Sequence, residues 1–185
     1  MTTVRSRLAE LLTTHSLRQG QFTLSSGEIS DIYLDVKSTS LLGEGAYLIG
    51  KLLWEHIADW SPLPEAIGGL TLGSDPLVTA VSLHAFHQGS SLSAVIVRKE
   101  AKGHGTERFL EYPPLLTSGA RIVAVDDVIT TGGSTITAIE RMREAGFVVE
   151  DALCVVDREA GGEEALNDID VALHSLFTLS ELRKD

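Results

Sequence analysis

The chain has 185 residues, 43% of them hydrophobic, with 15 Lys and Arg against 26 Asp and Glu and a formal net charge of −11. That describes one domain with a substantial core, and excludes both a second full domain and a protein that coats nucleic acid or an anionic membrane, which would need clustered Lys and Arg to displace counterions. The single cysteine, Cys154, excludes an internal disulfide and a multi-cysteine metal site and points to a reducing compartment, the cytoplasm. No apolar run is long enough to span a bilayer. Met1 to Gly20, carrying Arg5, Arg7, Glu10 and Arg18, lacks the continuous apolar region of a secretory signal and reads as part of the fold.

Val4, Leu8, Leu11 and Leu12 share one face of a predicted helix that ends near the Gly20 breaker. A short extended segment over Phe22 to Leu24, a turn at Ser25-Ser26-Gly27 and a strand over Ile32 to Val36 follow. Gly45 to Ile57 is helical in pattern. Beyond Pro62 and Pro64, short apolar runs alternate with helix-length segments: Ala66 to Gly69, Pro76 to His87, Leu92 to Val97, Ile122 to Val125, a helix from Ser134 to Ala145 closed by Gly146, and a strand from Val148 to Val156. This rhythm predicts βαβ units and an α/β fold, with a parallel sheet covered on both faces. The stretch from Arg98 to Leu116 breaks it, being long, polar and punctuated by Gly103, Gly105, Pro113 and Pro114, the composition of a functional lid.

The most informative segment runs Ile122-Val123-Ala124-Val125-Asp126-Asp127-Val128-Ile129-Thr130-Thr131-Gly132-Gly133-Ser134-Thr135. A buried strand enters a polar, glycine-containing turn and then a helix, whose N-terminal N–H groups and partial positive charge suit a phosphate. Two carboxylates just before such a cradle would repel the phosphate itself, but they accept hydrogen bonds from vicinal hydroxyls, so a sugar phosphate fits. Rival phosphate motifs fail: Gly68 to Gly73 is followed by Ser74-Asp75 rather than Lys-Ser or Lys-Thr, and no strand-to-helix turn carries G-x-G-x-x-G.

The segment closely resembles the phosphoribosyl diphosphate signature of the type I phosphoribosyltransferases. The resemblance implies their fold, a central parallel sheet flanked by helices with a small hood, in a single domain over 1–185. The hood would be built from about 1–40 and the C-terminal segment, with 98–116 as a flexible catalytic loop. It assigns Asp126 and Asp127 to the ribose hydroxyls and Val128, Ile129, Thr130, Thr131, Gly132, Gly133 and Ser134 to the phosphate loop.

Four Lys or Arg stand among the eleven residues Arg98-Lys99-Glu100-Ala101-Lys102-Gly103-His104-Gly105-Thr106-Glu107-Arg108. Alone this would be a solvated charge run; its order is similar to the catalytic loop of orotate phosphoribosyltransferases. The resemblance implies that Lys102 stabilises departing pyrophosphate, with Arg98, Lys99 and His104 as further contacts, and that the loop acts across a homodimer. Lys102, His104, Asp126 and Asp127 are thus the catalytic candidates. Phe22 to Gly27 with Ser30, Tyr33 and Asp35 resembles the family's substrate segment, Gly68 to Pro76 its pyrophosphate loop, and Val155 to Gly162 the strand end whose Arg158, with Thr130, would bind orotate, the Arg through a carboxylate. Many members carry Lys where this chain has Ser25.

The implied reaction transfers 5-phosphoribosyl from phosphoribosyl diphosphate to orotate in pyrimidine biosynthesis. Charge stabilisation and water exclusion would dominate its catalysis, with magnesium held mainly through diphosphate and no metal site of the chain's own. Alternatives are transfer to another base, against which Arg158 argues because a purine offers no carboxylate, and a regulatory sensor of phosphoribosyl diphosphate on the same fold. Plainer readings suit the rest: Cys154 as core, His84 and His87 as helix surface or packing rather than metal ligands, Trp54 and Trp60 as core or dimer interface, and Glu163-Glu164 as a helix start.

Overall fold

In the computed structural model, which describes residues 3–23, 29–101 and 109–183, Thr3 opens the first helix, α1 (Val4–Leu11). Its hydroxyl accepts from the Ser6 N–H while Ser6 Oγ accepts from the Thr3 N–H, closing a capping box. The predicted helix to Gly20 ends early: a π-helical turn over Leu12–Ser16 leads directly into strand β1 (Leu17–Thr23). Gly20 is not a helix stop but part of an irregularity between Gln19 and Phe22 in the pairing with β2 (Ile29–Leu34). That second strand ends before the predicted Val36, because the Asp35 carboxylate accepts the Lys37 N–H at 3.2 Å and turns the chain into α2 (Lys37–Ser40).

Next come α3 (Gly43–Ile57), β3 (Ala66–Leu70), α4 (Asp75–His87) and β4 (Ser93–Val97), all close to their predicted bounds. A two-residue strand, β5 (Leu110–Glu111), interrupts the long polar stretch. Strand β6 (Ile122–Ile129) runs past the predicted Val125 through both aspartates, and α5 (Gly133–Glu144) follows. Strand β7 (Asp151–Asp157) starts three residues later than predicted, Val148 making only an isolated bridge to Arg121. The chain closes with α6 (Gly162–Asn167), which has Glu163 and Glu164 in its first turn, β8 (Ala172–Thr178) and α7 (Leu179–Leu182). The last strand escapes a pattern reading because its half-exposed residues form no continuous apolar run.

The main sheet has the order β5-β4-β3-β6-β7-β8; every neighbouring pair is parallel except β4 with β5, while β1 and β2 form a separate antiparallel pair. Alternation along β6 sends Val123 and Val125 to the side covered by Leu8, Ile49, Leu53 and Val81, and Ile122 and Ala124 to the side covered by Ile139, Met142 and Leu166. Cys154 and Trp54 are core residues as predicted, at 0% and 6% exposure. The chain ends meet: the Arg5 guanidinium lies 4.4 Å over the Phe177 ring and pairs with Glu181, and Arg183 pairs with Asp31 of β2. Strands β3, β6 and β7 all point their carboxyl ends at one edge, where ligands bind in such sheets.

Candidate active site

At the carboxyl end of β6 the two aspartates, with only 6% and 8% exposure, are held differently. Asp126 turns inward and accepts from Ser134 Oγ at 2.9 Å, Thr135 Oγ1 at 3.0 Å and the Asp127 N–H at 3.0 Å. Burial first, then the adjacent Asp127 charge, pushes its carboxyl up to about 6 against those hydrogen bonds. Asp127 accepts the Val128 N–H on Oδ1 at 2.9 Å, while Lys37 Nζ approaches Oδ2 at 3.4 Å.

Gly132, at φ 81°, supplies the left-handed turn that starts α5, where no side chain caps the helix. The first-turn N–H groups therefore lack a capping partner and face outward with the helix dipole, an arrangement suited to a phosphate. Thr131, Gly133 and Ser134 are exposed there, and Thr130 is half-buried. The hydroxyl of Ser134, a residue the resemblance places in the phosphate loop, donates to Asp126. The Ile129 side chain is packed in the core, and its carbonyl accepts the Arg158 N–H at 2.8 Å, which ties the β7 end to the phosphate turn.

The loop after β3 closes the opposite side. Ser74 Oγ donates to Leu70 O at 2.9 Å and Val125 O at 3.0 Å, binding this loop to β6. Gly73 packs so tightly on Asp127 that a Cβ there would stand 2.5 Å from Oδ1. Its absent side chain thus brings the loop backbone against the acidic pair. Arg158 is half-buried at the same edge, and its guanidinium enters no salt bridge among the described residues.

Arg98 pairs with Glu111 at 3.3 Å, and its backbone N–H donates to the Phe109 carbonyl at 2.7 Å. The Arg141 guanidinium, 4.1 Å over the Phe109 ring, donates to the Arg98 carbonyl and to Lys99 O, so α5 grips both ends of the charged segment. Lys99 is exposed. Lys102 and His104 lie outside the described residues, as does Ser25. The structure thus draws Asp126, Asp127, Thr130 to Ser134 and Arg158 to one sheet edge, with Thr135 and Ser74 from the same quoted segments, while Lys37 joins it unforeseen. Thr135 stood within the motif; Ser74 ended the Gly-rich run; Lys37 carried no signal in sequence, since its place depends on the turn at Asp35.

Comparison with known proteins gives concordant results. The Phosphoribosyl transferase domain family matches residues 42–175. Orotate phosphoribosyltransferase from Thermosynechococcus vestitus is 48% identical over 179 residues, covering 97% of this chain and 93% of that one. Among solved structures, Mycobacterium tuberculosis orotate phosphoribosyltransferase in complex with Fe(III) dicitrate aligns with TM-score 0.84 at 38% identity, covering 97% of this chain and 99% of the other. The M. tuberculosis enzyme in complex with 5-phospho-alpha-D-ribosyl 1-diphosphate aligns with TM-score 0.81 at 33% identity, over 98% and 99%.

Proposed function

We propose, from the premise that this chain belongs to the phosphoribosyltransferase family and within it to the orotate phosphoribosyltransferases, how its residues divide the work of the reaction. The chain transfers the 5-phosphoribosyl group of phosphoribosyl diphosphate to orotate in pyrimidine biosynthesis, releasing diphosphate and orotidine 5′-monophosphate. The observation that carries the division of roles is the buried acidic pair at the mouth of an uncapped helix N-terminus.

The 5-phosphate sits on the N–H groups of 131–135, and the ribose hydroxyls donate to Asp126 and Asp127. The diphosphate lies along the Thr71 to Ser74 backbone, which Gly73 allows to approach the Asp127 carboxylate closely. Orotate is placed by Thr130 and by the Arg158 guanidinium, which matches a carboxylate. Cleavage at the anomeric carbon builds positive charge on the ribose and negative charge on the leaving group. The adjacent carboxylates favour the first, and Lys102, with Arg98, Lys99 and His104, favours the second. The charged segment also shuts out water that would hydrolyse the sugar.

Magnesium, when bound, neutralises diphosphate charge. A hard cation of this kind is held mainly by substrate oxygens. A homodimer with the loop acting on the neighbouring site is supported by apolar surface on α3 and α4, where Tyr47, Leu83 and Phe86 are 59%, 57% and 73% exposed. Cytoplasmic placement rests on the unpaired, buried Cys154. No helix among the described residues is long and apolar enough to cross a membrane.

The test is loss of orotate ultraviolet absorbance with phosphoribosyl diphosphate and magnesium, beside adenine, xanthine and uracil. Turnover of orotate alone is the expected result. Activity on a purine instead would overturn the base assignment, and silence with all four would favour the sensor.

A further inference from the structure

Two adjacent carboxylates that must admit a phosphorylated sugar need a counter-charge, and the phosphate turn supplies none. Among the described residues the donors to Asp126 are two hydroxyls and one backbone N–H, all neutral. Among the same residues only Asp127 of the pair meets a cation: Lys37 Nζ stands 3.4 Å from its Oδ2 and 2.7 Å from Asp35 Oδ1. That lysine opens α2, a turn set by Asp35 accepting the Lys37 N–H, so both its backbone and its ammonium are fixed by the same aspartate.

We infer that Lys37 is a positioning residue for phosphoribosyl diphosphate: it holds the Asp127 carboxylate in the plane that receives a ribose hydroxyl and links it to the segment at Asp35. The inference rests on reading Asp127 as a ribose ligand. The carboxylate is held at both oxygens, Oδ1 by the Val128 N–H at 2.9 Å and Oδ2 by the ammonium. Its rotation is further blocked by the Gly73 backbone, which packs close enough that an added Cβ would fall 2.5 Å from Oδ1 and 2.9 Å from Oδ2. Removing the ammonium frees one end of this clamp and leaves Asp35, Asp126 and Asp127 facing an anionic substrate without their shared cation. Lys37 is partly exposed, at 43% of its side chain, so it is not itself a pillar of the core.

The experiment compares Lys37→Met, Lys37→Gln, Lys37→Arg and Asp127→Asn by steady-state kinetics in both substrates and by thermal melting. The Met and Gln variants should raise KM for phosphoribosyl diphosphate about tenfold, the scale of one charge-assisted contact at a partly exposed site. KM for orotate should stay within about twofold and the melting temperature within about 2 °C, while Arg restores KM to within about threefold of the parent. An unchanged KM for phosphoribosyl diphosphate in both neutral variants, an equal rise in both KM values, or no recovery with Arg would each overturn the inference. Asp127→Asn separates the two levels: if it raises KM for phosphoribosyl diphosphate and the Lys37 variants do not, only the lysine role falls. If Asp127→Asn leaves that KM unchanged, the ribose assignment falls with it.

Discussion

Replacing Asp126 by Asn should stabilise the substrate-free protein while destroying its activity. Burial and the Asp127 charge lift the Asp126 carboxyl from 3.8 to about 6. Roughly two pKa units correspond to about 3 kcal/mol of disfavoured ionisation above that range. A carboxyl with a raised folded-state pKa binds its proton more tightly in the native state than in the unfolded chain. The wild type therefore loses stability as pH rises from about 4 to about 6, and carries the full cost at higher pH. Asparagine never ionises and keeps a carbonyl for Ser134 and Thr135, although its amide nitrogen replaces the oxygen that accepts the Asp127 N–H, at a cost of about 1–2 kcal/mol. A net gain of about 1–2 kcal/mol remains, which for a chain of this length raises the melting temperature by about 2–8 °C at pH 8. Calorimetry of both proteins at matched concentration, at pH 8 and pH 4, should show the difference shrinking toward zero at the acid end. A variant less stable than wild type at pH 8, or a gain independent of pH, would refute the reasoning.

Gly73→Ala puts a methyl 2.5 Å from Asp127 Oδ1, so the pyrophosphate loop or the carboxylate must shift. KM for phosphoribosyl diphosphate should rise about tenfold or more with little change in melting temperature, and an unaltered KM would show that the loop does not flank this substrate. Lys102→Ala should cut kcat by about a hundredfold or more while orotate affinity, read by equilibrium binding, changes only a few-fold; equal losses would contradict the leaving-group role. Arg158→Ala should weaken orotate about 10- to 100-fold and leave KM for phosphoribosyl diphosphate near that of the parent, and the reverse pattern would move Arg158 off the base.

Legibility in the sequence tracked burial and local chemistry. Strands β3 and β4 are short apolar runs whose bounds could be read nearly to the residue, whereas β6 runs four residues past its predicted end because its acidic pair is buried within the strand. The acidic pair and the Thr-Thr-Gly turn lie within one short segment, so that segment held most of the proposed ribose phosphate site. What escaped depends on long-range pairing: Gly20 looked like a helix stop because nothing local reveals a strand irregularity opposite β2. Strand β8 was hidden by its half-exposed edge position. Lys37 sits 90 residues from Asp127, and only folding brings the two together. The Ser134 hydroxyl contact with Asp126 also escaped, because a hydroxyl at a helix start serves a carboxylate behind it as readily as a phosphate in front.

The Arg141 grip on the Arg98 and Lys99 carbonyls turns the charged segment into a tether with a calculable reach. At about 3.5 Å per residue, chain leaving an anchor at Lys99 has a backbone reach of about 10 Å after three residues and about 17 Å after five. On the proposed roles of its cations, the loop therefore works from a backbone sphere centred on Lys99, which α5, the helix behind the phosphate turn, holds in place. Any assembly in which the loop serves a neighbouring copy has to bring that copy's Thr71 to Ser74 loop, the proposed diphosphate site, within side-chain reach of the same sphere. The leash length thus selects among the ways two such chains could join.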